Sequence, residues 1–443
     1  MAENSWVTRV PLGKREGQKL SSTLEEIIRK KNAELSGLAL VACQGEKIIY
    51  EGYFGRSRID PLDPSLGPAM DGSSLFRVAS ISKTLVALAA LMLEERGLLA
   101  LDEDISGFIG FRLRNPAFPE RAITGRMLLS HTSTLVDDSG YNFPPGSRIA
   151  DWLAPGGARY EDGAAFSRKG EPGAWFGYAN LNYGVIASAM EFAARKRFDL
   201  LMEELVLVPL GLEARFNVTR LTEEAFRRLC PLYRKGVDEA HWNVEGPWMA
   251  QVDDYGGQRP ASPLRGYAGD AEAFLASYEL GSNGTLFSPQ GGLRISALEL
   301  SILMRLFCNR GSFRNLRLLS EKSAHAMTRP VWRWNSAHDN GVAYNGLSRE
   351  AGTGLFRNTD SLDTDGGDRM LAEGEGPAFW GHHGDAYGFL GGMQFDPDSG
   401  FSFLYFITGT GAEPEKNLGR HSSFFIWEEE LQEAVIRSLM AKA

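Results

Sequence analysis

Phe76-Arg77-Val78-Ala79-Ser80-Ile81-Ser82-Lys83-Thr84 runs directly into Leu85-Val86-Ala87-Leu88-Ala89-Ala90-Leu91-Met92-Leu93. The run predicts a strongly apolar helix with a Ser-x-x-Lys pair on its first turn. Side chains three residues apart are neighbours on one helical face. A serine hydroxyl is a poor nucleophile until a base takes its proton. A lysine amine becomes that base when burial or neighbouring cations lower its pKa, and the apolar helix supplies the burial. Ser80 and Lys83 form the only Ser-x-x-Lys in the chain. They fall where a helix begins, the context such a motif requires.

Outward from this helix, the pattern predicts a sheet built from both ends of the chain. Leu38–Cys43 and Lys47–Phe54 read as a hairpin closed at Gln44-Gly45-Glu46, the first strand apolar enough to be buried on both faces. Upstream, residues 21–35 carry Leu24, Ile27 and Ile28 at helical spacing. From Trp380 onward strands return: Gly391–Phe395, a turn at Asp396-Pro397-Asp398-Ser399-Gly400, then Phe401–Ile407. An amphipathic helix from about Trp427 to Met440 closes the chain. Residues from about 100 to 280 read as helical, broken by turns such as Asn142-Phe143-Pro144-Pro145-Gly146 and Ala154-Pro155-Gly156-Gly157. The expected fold class is α/β (α+β), an antiparallel sheet flanked by helices. Residues 1–99 and 280–443 would form that lobe, with 100–279 inserted as an all-α lobe.

Bulk properties narrow the function classes. A chain of 443 residues is long enough for two lobes, and its 43% hydrophobic content is ordinary for a sizeable core. A net charge of −9 argues against nucleic acid or an anionic membrane as partner. Cys43, Cys230 and Cys308 lie far apart without a Cys-x-x-Cys, and read as buried small residues rather than a disulfide frame or zinc site. Met1-Ala2-Glu3-Asn4-Ser5-Trp6 has neither a basic start nor an apolar core, which predicts no signal peptide and a soluble cytoplasmic protein. The run Leu85–Leu93 is too short to span a bilayer.

Two further motifs carry candidate chemistry. Tyr178-Ala179-Asn180 is the only Tyr-x-Asn in the chain. A tyrosine oxygen beside a lysine ammonium can have a lowered pKa and shuttle a proton, and an Asn two residues on can hold Lys83 or a substrate amide. By themselves these residues equally describe a buried Tyr and a turn Asn. Gly381-His382-His383-Gly384 precedes the last strand pair. Adjacent strand side chains point to opposite faces, so only one of the two histidines can face a site, which argues against a two-histidine chelate. Gly384 lets backbone approach a ligand.

Ser80-x-x-Lys83, Tyr178-x-Asn180 and His382-x-Gly384, in this order, resemble the serine β-lactamase and penicillin-binding-protein superfamily. The resemblance is to its class C β-lactamase-like branch, with family VIII esterases, D-aminopeptidases and D-amino-acid amidases. Related sets carry Ser-x-x-Lys first and Lys-Thr-Gly third. Ile123–Ser133 and Val208-Pro209-Leu210-Gly211-Leu212 are similar to connecting segments of that branch, so the resemblance runs from about 20 to 440. It implies a β-lactamase/transpeptidase-like fold and a Ser80 acyl-enzyme. Lys83, directly or through Tyr178, would take the Ser80 proton. Asn180 and His382 would position groups, and the backbone at Gly384 and Asp385 would complete the oxyanion hole with Ser80. No metal or organic cofactor is implied.

The chain also departs from that pattern. Thr134 replaces the usual Gly after His131-Thr132-Ser133. His382 stands where β-lactamases and DD-peptidases carry Lys, which weakens a penicillinase reading, because that Lys helps bind a carboxylate. The Asp385 side chain either attracts a substrate ammonium or points to solvent. The expected activity is hydrolysis of esters or of small, D-configured amides or peptides. β-Lactamase or DD-peptidase action is an alternative, as is acyl transfer or peptide release through the same acyl-enzyme. Trp242, Trp248, Tyr255, Trp332, Trp334 and Trp380 read as packing aromatics or as an apolar acyl pocket. The acidic run Asp363–Asp368 reads as a solvated loop.

Overall fold

The computed structural model describes residues 14–29, 35–60, 66–236, 241–264, 266–335, 337, 339–364 and 366–440. The N-terminal hexapeptide read above for a leader lies outside the described residues, as does Asp365 of the acidic run. Eight strands form one antiparallel sheet in the order Lys47–Gly55, Gly37–Gln44, Phe401–Ile407, Phe389–Phe395, Trp380–Ala386, Phe356–Arg357, Glu350–Ala351, Trp332–Arg333. The N-terminal hairpin therefore pairs with the C-terminal strands, with Leu40 opposite Tyr405 and Val41 opposite Leu404.

Gly37–Gln44 is buried along almost its whole length because both faces are covered. Strand side chains alternate between faces. Leu38, Leu40 and Ala42 pack with Phe403, Tyr405 and Ile407 under Leu20 and Leu24 of helix Lys14–Arg29 and Trp427 and Leu431 of helix Ile426–Val435. Ala39, Val41 and Cys43 join Leu404 and Phe406 in the core shared with helices Ser82–Glu95 and Ala297–Cys308. The hairpin, the Asp396–Gly400 turn and the closing helix all stand where the sequence pattern puts them, the last ending in a π turn at Ile436–Met440.

Every residue from Ser82 to Leu93 is buried. On the far side of this helix packs Leu181–Ala194, buried from Leu181 to Glu191. Elsewhere the expected helical stretch is mostly loop with short helices, because Gly and Pro interrupt it. It also contains strands Leu232–Lys235 and Trp248–Val252, which join Gly409–Thr410 in a small sheet. The helical reading of that region is corrected accordingly: pairing with a distant segment overrides local pattern. Asp368 corrects another expectation, being fully buried with its carboxylate accepting from the N–H groups of Thr359 and Ser361. All three cysteines are free and buried.

Thr134 has φ +71°, a left-handed conformation that suits the usual Gly better than a β-branched residue. Its hydroxyl accepts a hydrogen bond of 2.8 Å from Asn115, which also donates to Ser167 O. Among the described residues no helix is long and apolar enough to cross a membrane. Truncating Leu40 to Ala should cost about 3 kcal/mol through lost burial and a residual cavity, read as a lower urea midpoint at unchanged m-value.

Candidate active site

Ala79–Ile81 forms a 3₁₀ turn that leads into the helix at Ser82. Ala79 has φ +45°, a conformation alanine rarely adopts, at the residue just before Ser80. The helix then places Lys83 Nζ 2.9 Å from Ser80 Oγ. Lys83 is fully buried, and Nζ also donates to Asn180 Oδ1 at 2.8 Å and Gln290 O at 2.7 Å. Burial pushes the Lys83 ammonium well below the usual lysine range, against the pull of the Asp137 carboxylate. Tyr178 OH donates to Ser80 Oγ at 2.8 Å, and Lys83 Nζ lies 5.0 Å from the centre of the Tyr178 ring.

Here one sequence expectation is corrected. Tyr178 does not have a lowered pKa: burial pushes its hydroxyl above the usual tyrosine range, and the bond to Ser80 only partly offsets this. The cause is desolvation, which disfavours a phenolate. Nζ stands as donor to Ser80 Oγ, Asn180 Oδ1 and Gln290 O, so a proton lost from it leaves a lone pair within reach of the Ser80 hydroxyl.

Asn180 is held from behind. Its backbone N–H and its Nδ2 both donate to Asp137 Oδ2 at 2.9 Å, and Leu181 N–H donates to Asp137 Oδ1 at 2.9 Å. Asp137 thus satisfies the N-terminus of helix Leu181–Ala194 and turns the Asn180 carbonyl toward Lys83. Sequence reasoning missed Asp137. The available signal was that Asn180 is spent on Lys83 and makes no cap bond of its own, so the first N–H groups need an outside acceptor. His131 was also missed as a support. It stacks on Tyr178 at 4.3 Å between ring centres, and its Nδ1 accepts from Ala179 N–H at 3.1 Å.

The strand Trp380–Ala386 closes the other side. A Cβ on Gly384 would lie 2.7 Å from Val78 O, so only glycine lets this strand press on the turn that carries Ser80. His382 and His383 do point to opposite faces. His382 is buried with its ring 6.2 Å from that of Tyr178. His383 faces Gln394 and Phe424 on the opposite side. His382 Nδ1 donates to His383 O at 2.6 Å, which leaves Nε2 as the lone-pair nitrogen, buried and without a partner among the described residues. Burial, then the Lys83 charge, push His382 well below the usual histidine range, so it is neutral. Asp385 is exposed. The protein around it, reinforced by Glu415 and opposed by Arg234, pushes its carboxyl up to about 6, an effect that water at its tip screens. Among the described residues no cluster of His, Cys, Asp or Glu fits a metal ion.

A cavity of about 840 Å³ is lined by Arg77, Asn142, Tyr255 and Tyr387 among others, though by none of Ser80, Lys83, Tyr178, Asn180 or His382. Of the six aromatics singled out from sequence, only Tyr255 lines it. Trp332 and Trp334 pack with Phe176 and Phe356 behind Tyr178, and Trp380 is buried in the main core. Trp242 and Trp248 lie under Arg234 and Lys235.

The antiparallel sheet, the buried helix and the Ser–Lys–Tyr cluster define a protein of the β-lactamase/transpeptidase fold. The beta-lactamase family model matches residues 24–423, and the chain belongs to that family. Penicillin-binding protein 4* of Bacillus subtilis (strain 168) is 29% identical over 224 residues, 49% of this chain and 44% of its own length. Esterase EstB of Burkholderia gladioli is 36% identical over 118 residues, 26% of this chain and 28% of its own. The matches thus span less than half the length of these curated relatives. The crystal structure of D-amino acid amidase from Ochrobactrum anthropi SV3 with L-phenylalanine amide superposes with a TM-score of 0.62 at 17% identity, covering 96% of this chain and 99% of the other.

Replacing Asp137 by Ala should lower stability by about 2 kcal/mol, since three N–H groups lose a charged acceptor. Thermal unfolding checks the loss, and an unshifted melting temperature would remove Asp137 from the support of Asn180.

Proposed function

We propose that the protein is a serine hydrolase acting through a Ser80 acyl-enzyme on esters or small amides and peptides, D-configured ones included. The observation that carries this reading is the convergence of Lys83 Nζ and Tyr178 OH on Ser80 Oγ, at 2.9 and 2.8 Å. Family membership and the names of the esterase and amidase relatives support the reaction class.

In the first step the neutral Lys83 amine takes the Ser80 proton as Oγ attacks the substrate carbonyl. The backbone N–H groups of Ser80 and Asp385 stabilise the oxyanion, which develops against the strand that Gly384 allows to approach. Tyr178, held protonated by its burial, passes its proton to the leaving group, and the Lys83 ammonium makes good that loss. Water then attacks the acyl-enzyme with the same groups working in reverse. Neutral His382 offers the Nε2 lone pair toward Tyr178 or the substrate, a positioning role. Being uncharged, it is a poor anchor for a substrate carboxylate, which favours esterase or amidase action over penicillin turnover.

Four measurements test this. Ser80→Ala should abolish labelling by an active-site serine reagent and lower turnover of a p-nitrophenyl ester at least about a thousandfold; turnover surviving in that variant would sink the assignment. With Lys83 as base, kcat/KM should rise as pH rises through its depressed pKa and level off below about 10.4, the ordinary lysine value. Lys83→Arg, which cannot lose its proton, should be inactive at every pH. Tyr178→Phe should lower kcat more than it changes KM, and an unchanged kcat would remove Tyr178 from proton transfer.

A further inference from the structure

Arg77 lies three residues before Ser80, on a short strand paired with Arg294–Ser296, and stands directly opposite Arg294. Two arginines side by side need countercharge, and a single buried carboxylate, Asp253, is near them. Arg294 forms the ion pair with it: its Nε and Nη2 donate to the two Asp253 oxygens at 2.9 and 2.8 Å, Tyr255 OH donates to Oδ1 at 3.0 Å, and Arg294 Nη1 donates to Phe216 O and Gly292 O. Asp254, also on the cavity wall, is paired to Arg58.

Arg77 is left over. It is only 9% exposed, its Nε donates to Gly291 O at 2.9 Å, and among the described residues neither terminal nitrogen has an acceptor or an ion-pair partner. Its guanidinium sits 5.2 Å from the centre of the Tyr387 ring. Tyr387 has φ +59° in the tight turn that follows the strand of Gly384 and Asp385, an unusual conformation for a bulky residue. Both residues line the 840 Å³ cavity. Its walls include Phe143, Pro145, Phe287 and Tyr267 beside polar Thr285 and Ser288 and the carboxylates of Asp253 and Asp254. Asn142, on the same wall, accepts from the Gln290 side chain, and the backbone carbonyl of Gln290 accepts from Lys83. Arg77 lines the cavity with both terminal nitrogens free of an acceptor among the described residues, and a planar carboxylate is the group that fits the two.

We infer that this cavity is a substrate subsite in which Arg77 binds a carboxylate carried by the ester or amide substrate, with Tyr387 stacked on the guanidinium and the aromatic and proline walls taking the apolar body. The inference rests on the Ser80 hydrolase reading and specifies its substrate class. It moves anion recognition from the strand position held by the neutral His382 to the segment that carries the nucleophile.

The test uses matched esters. Mono-p-nitrophenyl esters of glutaric, adipic and suberic acid are compared with the pentanoate, hexanoate and octanoate, in which a methyl replaces the carboxylate. On the leaving-group side, 4-carboxyphenyl acetate is compared with 4-methylphenyl acetate. At least one pair should favour the carboxylate by about tenfold or more in kcat/KM, through KM, with the ratio shrinking as salt is added. In Arg77→Gln the ratio should fall to about one whatever the absolute rate. Should that variant fail to fold, Gln251→Glu adds a carboxylate to the half-exposed cavity wall and should cut the ratio several-fold. Ser80-dependent turnover with no preference in any pair overturns the Arg77 subsite and leaves the hydrolase reading standing. A preference untouched by both substitutions overturns it too. Absence of Ser80-dependent turnover for every ester overturns the hydrolase reading itself.

Discussion

Removing the Lys83 amine from water is the constraint around which this molecule is organised. A buried ammonium is expensive, and the fold meets that cost by shifting the group toward its neutral form and giving every position on nitrogen a partner. Ser80 Oγ, Asn180 Oδ1 and Gln290 O are those partners. They come from three separate parts of the chain, so the amine is satisfied only once the helix at Ser82, the helix at Leu181 and the segment before Arg294 are docked. The catalytic competence of Ser80 and the packing of the two central helices are in this sense one structural event.

The sheet supplies the other half. Its strand Gly37–Gln44 is buried on both faces because N-terminal and C-terminal helices share one side while the Ser82 and Ala297 helices share the other. That sandwich fixes the strand Trp380–Ala386 against the Ser80 turn, and the missing side chain at Gly384 sets how close the approach is. Ala79, His131 and Tyr387 all hold positive φ around Ser80 and Tyr178, where a rigid scaffold can sustain it.

The departures from the family pattern have physical accounts. Thr134 holds a conformation better suited to glycine because Asn115 anchors its hydroxyl. His382 in place of Lys removes a cation from the strand, and the burial that keeps it neutral makes it an acceptor instead. Arg77 keeps a positive charge on the cavity wall, its Nε donating to Gly291 O.

The sequence alone determined what depends on local period and spacing. The Ser80–Lys83 offset, the double-sided apolar strand at Leu38–Cys43, the Asp396–Gly400 turn and the opposition of His382 to His383 follow from helix and strand geometry that no distant contact alters. Tertiary structure decided what depends on depth and on remote partners. Asp137 and the Gln290 carbonyl were invisible because their roles arise from chain segments far apart in sequence. Tyr178 changed direction because desolvation outweighs a neighbouring lysine once both are buried, and burial is not written in any motif. The strands near Tyr233 and Trp248 formed in a stretch read as helical because pairing with Gly409–Thr410 was available only in the folded chain.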